Sequence, residues 1–166
     1  ATLSVKFELT QTEPIVRPIE HRTILHSFAH ESLEVALPVY ALDEVVLEKL
    51  RAFLQTANNL ERREWSNRAR DLYDVWWLWT QGAPVSWSEL RQPLTIKADA
   101  RNVRFTGPTD FLDVRVLRSY RESWHTRLAN VVPDLPPFDE AVQALESLLA
   151  TVFEAPVRTA APDQSS

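Results

Sequence analysis

Lys49 follows Val46 by three residues and precedes Phe53 by four, and Asp71 stands 22 residues further along in the charged run Arg68, Arg70, Asp71 and Asp74. Lysine, arginine and aspartate in this order suit phosphate chemistry, in which an ammonium neutralises oxygens while a rigid carboxylate orients the lysine or a water. At 100° per residue Lys49 falls near the apolar side of a helix, where the plainer reading is an alkyl stem along the core edge with its ammonium in water. Asp71 and Asp74, three apart, share a helix side. Their plainer reading is first-turn acids favoured by the helix dipole, plus an Arg70 to Asp74 pair worth a few tenths of a kcal/mol.

Other chemistries find less support. His26 and His30 lie in a segment that reads as extended, where a spacing of four means about 13 Å of separation, too far for one zinc ion. Gly-rich phosphate loops, Gly-x-Ser-x-Gly elbows and His-Glu-x-x-His are all missing from the sequence. Trp76, Trp77 and Trp79 could stack bases, but aromatics on several sides of one helix point first to a core position.

The elements that must position these residues follow from periodicity. "LSVKFEL" (3–9) alternates apolar and polar residues as a half-buried strand does, with Glu8 on its polar side, and "RTILHSF" and "SLEVALPVYAL" read as further strands, Pro38 marking an edge. From Asp43 to about Thr56 the period becomes helical. A second helix runs to Gln81, helical at least from Ser66 as N-cap, with Leu72, Val75, Trp76 and Trp79 as its buried stripe and Gly82 ending it. A short helix capped by Ser86 should close before Pro93, and "DARNVRFTGPTD" is a turn-rich connector. Long helices over 110–130 and 139–153 follow, then a Pro, Ala and Ser tail. The class is α+β, strands first and helices after.

Composition bounds the rest. The 166 residues suffice for one buried core, and 45% hydrophobic content with six tryptophans indicates a globular chain. Zero cysteines exclude disulfides, thiol nucleophiles and thiolate zinc sites. A net charge of −5 offers no general attraction to nucleic acid, leaving the local patch of Arg62, Arg63, Arg68 and Arg70. No apolar run approaches the roughly 20 residues that span a bilayer, so a soluble, cytoplasmic protein is expected. The sequence opens on Ala1, consistent with a removed initiator or with the later part of a larger protein.

"VYALDEVVLEKLRAFL" together with "RARDLYDVWWL" resembles the AbiEii/AbiGii nucleotidyltransferase toxins of abortive-infection and type IV toxin–antitoxin systems. The matching positions are Leu42, Glu44, Glu48, Lys49 and Leu50, then Arg68, Arg70, Asp71, Leu72, Tyr73 and Asp74. The resemblance implies strands of a polymerase-β-like sheet over 1–41 and a helical domain over 42–155, and composition makes 156–166 a flexible tail. It implies a role for Lys49 against a nucleoside triphosphate, for Asp71 in positioning it, for Glu8 as a third carboxylate, for Arg68 and Arg70 on phosphate, and for Glu48 and Asp74 in support. The family's Gly-Ser and Asp-x-Asp motifs, which serve the triphosphate and Mg²⁺, are not found in this sequence, so the chain looks like the C-terminal part of such an enzyme and is expected to be inactive without them. NMP would pass from an NTP to a tRNA, another RNA or a protein, and a cognate antitoxin would be a partner. Two other readings stay open at this point: a non-catalytic helical module contacting RNA or an antitoxin, and an interaction domain whose charges are incidental.

Overall fold

The computed structural model describes residues 13–23, 35–59 and 68–154. Strands β1 (Ile19–Thr23) and β2 (Ala36–Tyr40) pair antiparallel with Ile19 opposite Tyr40 and His21 opposite Pro38. Helices α1 (Leu42–Asn58), α2 (Ala69–Thr80), α3 (Arg91–Ala100), α4 (Val114–Leu128) and α5 (Phe138–Glu154) follow, so the fold is α+β. β2 falls within the expected strand 32–42, whereas β1 starts upstream of the expected one at 22. Pro38 is tolerated because either strand of a two-stranded sheet is an edge. The expected strand over 3–9, and with it Glu8, lies outside the described residues, as do His26, His30, Arg62, Arg63 and the tail.

The helices form because their apolar residues recur at three and four residue steps. Val46, Leu47, Leu50, Phe53 and Leu54 of α1 are buried, as are Leu72 and Val75 of α2, Tyr120 and Trp124 of α4, and Leu145, Leu148 and Val152 of α5. Each fully buried side chain of this size contributes roughly 1.5–3 kcal/mol. α2 packs against α4 and α5, and α1 against α3 and α2. Trp124 turns its indole N–H to the Pro136 carbonyl at 2.9 Å, satisfying the one polar atom it carries into the core.

Several boundaries differ from the periodicity reading. α2 begins at Ala69 with Arg68 in the N-cap position, and Ser66 lies outside the described residues. Its end follows expectation: Gly82 adopts φ +63°, Ala83 N–H reaches the Leu78 carbonyl at 3.0 Å, and Gly82 N–H reaches Trp79 at 3.2 Å. These two bonds form a Schellman motif, which requires the left-handed residue that glycine supplies. Pro93 does not close a helix. It sits in the first turn of α3, where its missing N–H has no intrahelical acceptor to lose. α4 starts at Val114 rather than Asp110, because Asp113 caps it by accepting from Arg115 N–H at 2.8 Å. Asp110 instead closes the preceding 3₁₀ turn, accepting from the Thr106 and Gly107 amides.

Candidate active site

Lys49 lies on the side of α1 that faces α2, and Asp71 and Asp74 lie one turn apart on the facing side of α2. The Lys49 Nζ donates to Asp71 Oδ1 at 2.9 Å and to Asp74 Oδ2 at 2.7 Å, bridging the two helices. Arg68 approaches the other oxygen of Asp71 at 3.5 Å. The ammonium therefore does not simply reach water, and Asp74 pairs with Lys49 where the sequence suggested Arg70. Arg70 is exposed.

Burial alone would lower the Lys49 pKa, but the hydrogen bonds to Asp74 and Asp71 outweigh it and hold the ammonium above the ordinary lysine value. Lys49 is thus a fixed cation at neutral pH. An ammonium has three donors, and two are committed to carboxylates. The third has no partner among the described residues.

Lys49 and Asp74 line an open cleft of about 410 Å³ between the two helices. α1 contributes Leu42, Val45 and Lys49, at steps of three and four; α2 contributes Tyr73, Asp74, Trp77 and Leu78, likewise one helix side. Trp77 is 47% exposed, so it departs from the expected core role. Trp76 and Trp79, partly buried, do pack against the core.

Glu48 takes no part in this cluster. Adjacent in sequence to Lys49 but turned 100° around α1, it accepts from Arg51 at 2.9 Å and from the Lys97 ammonium. Lys97 is 1% exposed; it also pairs with the buried Glu44 at 2.6 Å and donates to the Pro14 carbonyl at 2.9 Å. Glu44 in turn accepts from the Val16 and Arg17 amides at 3.1 and 3.0 Å. This network straps the segment that enters β1 onto α1 and α3. Sequence reasoning singled out Lys49 but passed over Lys97, although Leu90, Leu94 and Ala98 place it on the apolar side of α3 and the same argument applied.

Among the described residues, no group of three or more His, Asp or Glu side chains is placed to hold a metal ion. The two carboxylates at Lys49 each turn an oxygen to its ammonium. These residues by themselves do not fit Mg²⁺.

A geometry of one lysine held by two aspartates does not by itself name a protein family. The model of the nucleotidyl transferase AbiEii toxin family, of type IV toxin–antitoxin systems, matches residues 1–144. The chain belongs to the AbiEii family. Its frame of function is accordingly that of a nucleotidyltransferase toxin. No curated protein and no solved structure matches the chain. Among the described residues of this AbiEii chain, no helix is long and apolar enough to cross a membrane.

Proposed function

We propose that Lys49, Asp71 and Asp74 form the phosphate-holding part of a nucleotidyltransferase site that transfers NMP from an NTP to an RNA or protein acceptor. The observation that carries this reading is the Lys49 ammonium, held between two carboxylates at the wall of an open cleft with one donor uncommitted. In the reaction an acceptor hydroxyl oxygen bonds to the α-phosphorus and gives its proton to solvent water, the bond from the α-phosphorus to the oxygen bridging the β-phosphorus breaks, and pyrophosphate departs with the electron pair. Lys49 neutralises non-bridging oxygens as charge shifts toward the leaving group, while Asp71 and Asp74 fix its position so that little reorganisation is needed. Arg68 and Arg70, near the start of α2, contact phosphate of the nucleotide or of an RNA acceptor. Mg²⁺, expected from the family, supplies electrostatic stabilisation of the phosphates when bound, and its donors would have to include groups other than the described ones. The cognate antitoxin is the expected protein partner.

The test incubates the gene product carrying this chain with α-labelled NTPs and total RNA. Label should enter an acceptor, and Lys49→Ala and Asp71→Ala should each lower incorporation by about 10²-fold or more. A wild-type protein that neither bound NTP nor labelled any acceptor would overturn this reading in favour of a non-catalytic module.

A further inference from the structure

The cleft between α1 and α2 has two chemically different ends. One carries Lys49 and Asp74, and the remainder is apolar and aromatic: Leu42 and Val45 on one side, Tyr73, Trp77 and Leu78 on the other. Trp77 differs from the other described tryptophans. Trp76 stacks near Tyr73 at 5.5 Å between ring centroids, Trp79 meets Trp87 edge-on at 5.2 Å, and Trp124 meets Phe138 at 5.5 Å. Trp77 has no ring partner among the described residues and leaves about half of its surface to solvent. It stands three residues after Asp74, so its indole lies one helical turn from the Lys49 ion pair on the same side of α2.

We infer that Trp77 is the stacking platform for the nucleobase of the nucleotide whose phosphates meet Lys49. This rests on the reading of Lys49 as a phosphate-binding residue. A nucleotide has the same two-ended chemistry as the cleft, an aromatic ring joined to a polyanion, and a cleft of this volume lies within the roughly 300–1,000 Å³ range of small-molecule sites. The free N–H of Lys49 meets the anionic end, and the indole face meets the base, with Leu42 and Val45 closing the opposite side. Tyr73 and the indole N–H of Trp77 are the neutral hydrogen-bonding groups along the walls formed by described residues, too few to read a base edge in full. Stacking, which every base provides, therefore dominates over recognition of the base edge.

The experiment measures calorimetric binding of the four NTPs and of inorganic tripolyphosphate to the gene product carrying this chain, as wild type, Trp77→Ala, Trp77→Phe and Lys49→Ala. Trp77→Ala should weaken NTP binding roughly 5- to 150-fold and leave tripolyphosphate binding unchanged, since stacking and not charge has been removed. Trp77→Phe should recover most of the loss. Because Trp77 is half exposed, melting temperatures of both variants should stay near wild type, which separates the effect from misfolding. NTP binding unaltered by Trp77→Ala, with tripolyphosphate still captured by wild type and lost in Lys49→Ala, would overturn the stacking role while leaving the phosphate role intact. Equal losses of NTP and tripolyphosphate in Trp77→Ala would also overturn it, as a general disturbance of the cleft. Failure of wild type to bind either ligand would remove both readings together.

Discussion

Lys49 and Lys97 are two lysines near apolar helix sides that the fold uses in opposite ways. Lys49 and Asp71 are each 18% exposed and Asp74 45%, so this cluster lies between an exposed pair and a buried one. Lys49→Ala leaves two carboxylates without their cation and should cost about 1–3 kcal/mol in urea unfolding; on the proposed phosphate role it should also lower nucleotidyl transfer in conditions where the variant stays folded. Lys97 is enclosed with Glu44, and removing one partner of a buried pair strands the other charge. Lys97→Ala should cost about 3–5 kcal/mol in the same measurement, and Lys97→Met, which keeps the buried alkyl stem, should cost less than Lys97→Ala. A loss below about 1 kcal/mol for Lys97→Ala would mean that water replaces the ammonium there. That Lys49 and Asp71 meet was legible through the family pattern they match, whereas Asp74 was expected beside Arg70 and pairs with Lys49 instead. That Glu48 belongs to a different network was not legible, because its partner Lys97 comes from α3, and a contact across 49 residues leaves no local periodic signal.

At the scale of elements, α1 and α2 place the site by packing, so their buried faces matter to it as much as the charges. Leu72 is fully buried one residue after Asp71, and Leu72→Ala should destabilise the protein by about 2–5 kcal/mol. Measured below the new melting temperature, its nucleotide affinity should also fall, because the α2 backbone that carries Asp71 and Asp74 shifts toward the cavity. The helices were readable from their three and four residue periods, as was the Gly82 stop. The displaced boundaries around α3 and α4 involve residues with two uses. Pro93 can end a helix or occupy its first turn, and Asp110 and Asp113 can each cap, so the choice falls to the backbone turn between them rather than to residue type. Trp77 was misjudged for a related reason. An indole is equally at home in a core or in a cleft wall, and only the position of α1 beside α2 decides which.

For the whole molecule, a few carboxyls and one phenol held away from their ordinary pKa values set the pH range of stability. Burial alone would raise the Glu48 pKa, but hydrogen bonds from Lys97 and then Arg51 overcome it and leave the carboxyl below its ordinary value. Asp110 is lowered chiefly by the Thr106 amide and Asp113 chiefly by the Arg115 side chain. Groups lowered in the folded state contribute stability above their unfolded pKa values and lose it as pH falls through the folded ones. The melting temperature should thus decline on acidification below about pH 4, and a Lys97→Met variant should show a shallower decline. At the alkaline end the burial of Tyr120 in the core acquires a different significance. Burial, opposed in part by the Thr56 hydroxyl, pushes its phenol up to about 12, so the folded protein keeps a proton that the unfolded chain gives up near 10, and stability falls across that interval. The ring is 1% exposed, whereas Tyr40 is 54% exposed. Phenolate absorbance from Tyr120 should consequently emerge together with loss of helical circular dichroism, making this one side chain an intrinsic optical gauge of whether α4 is still seated in the core.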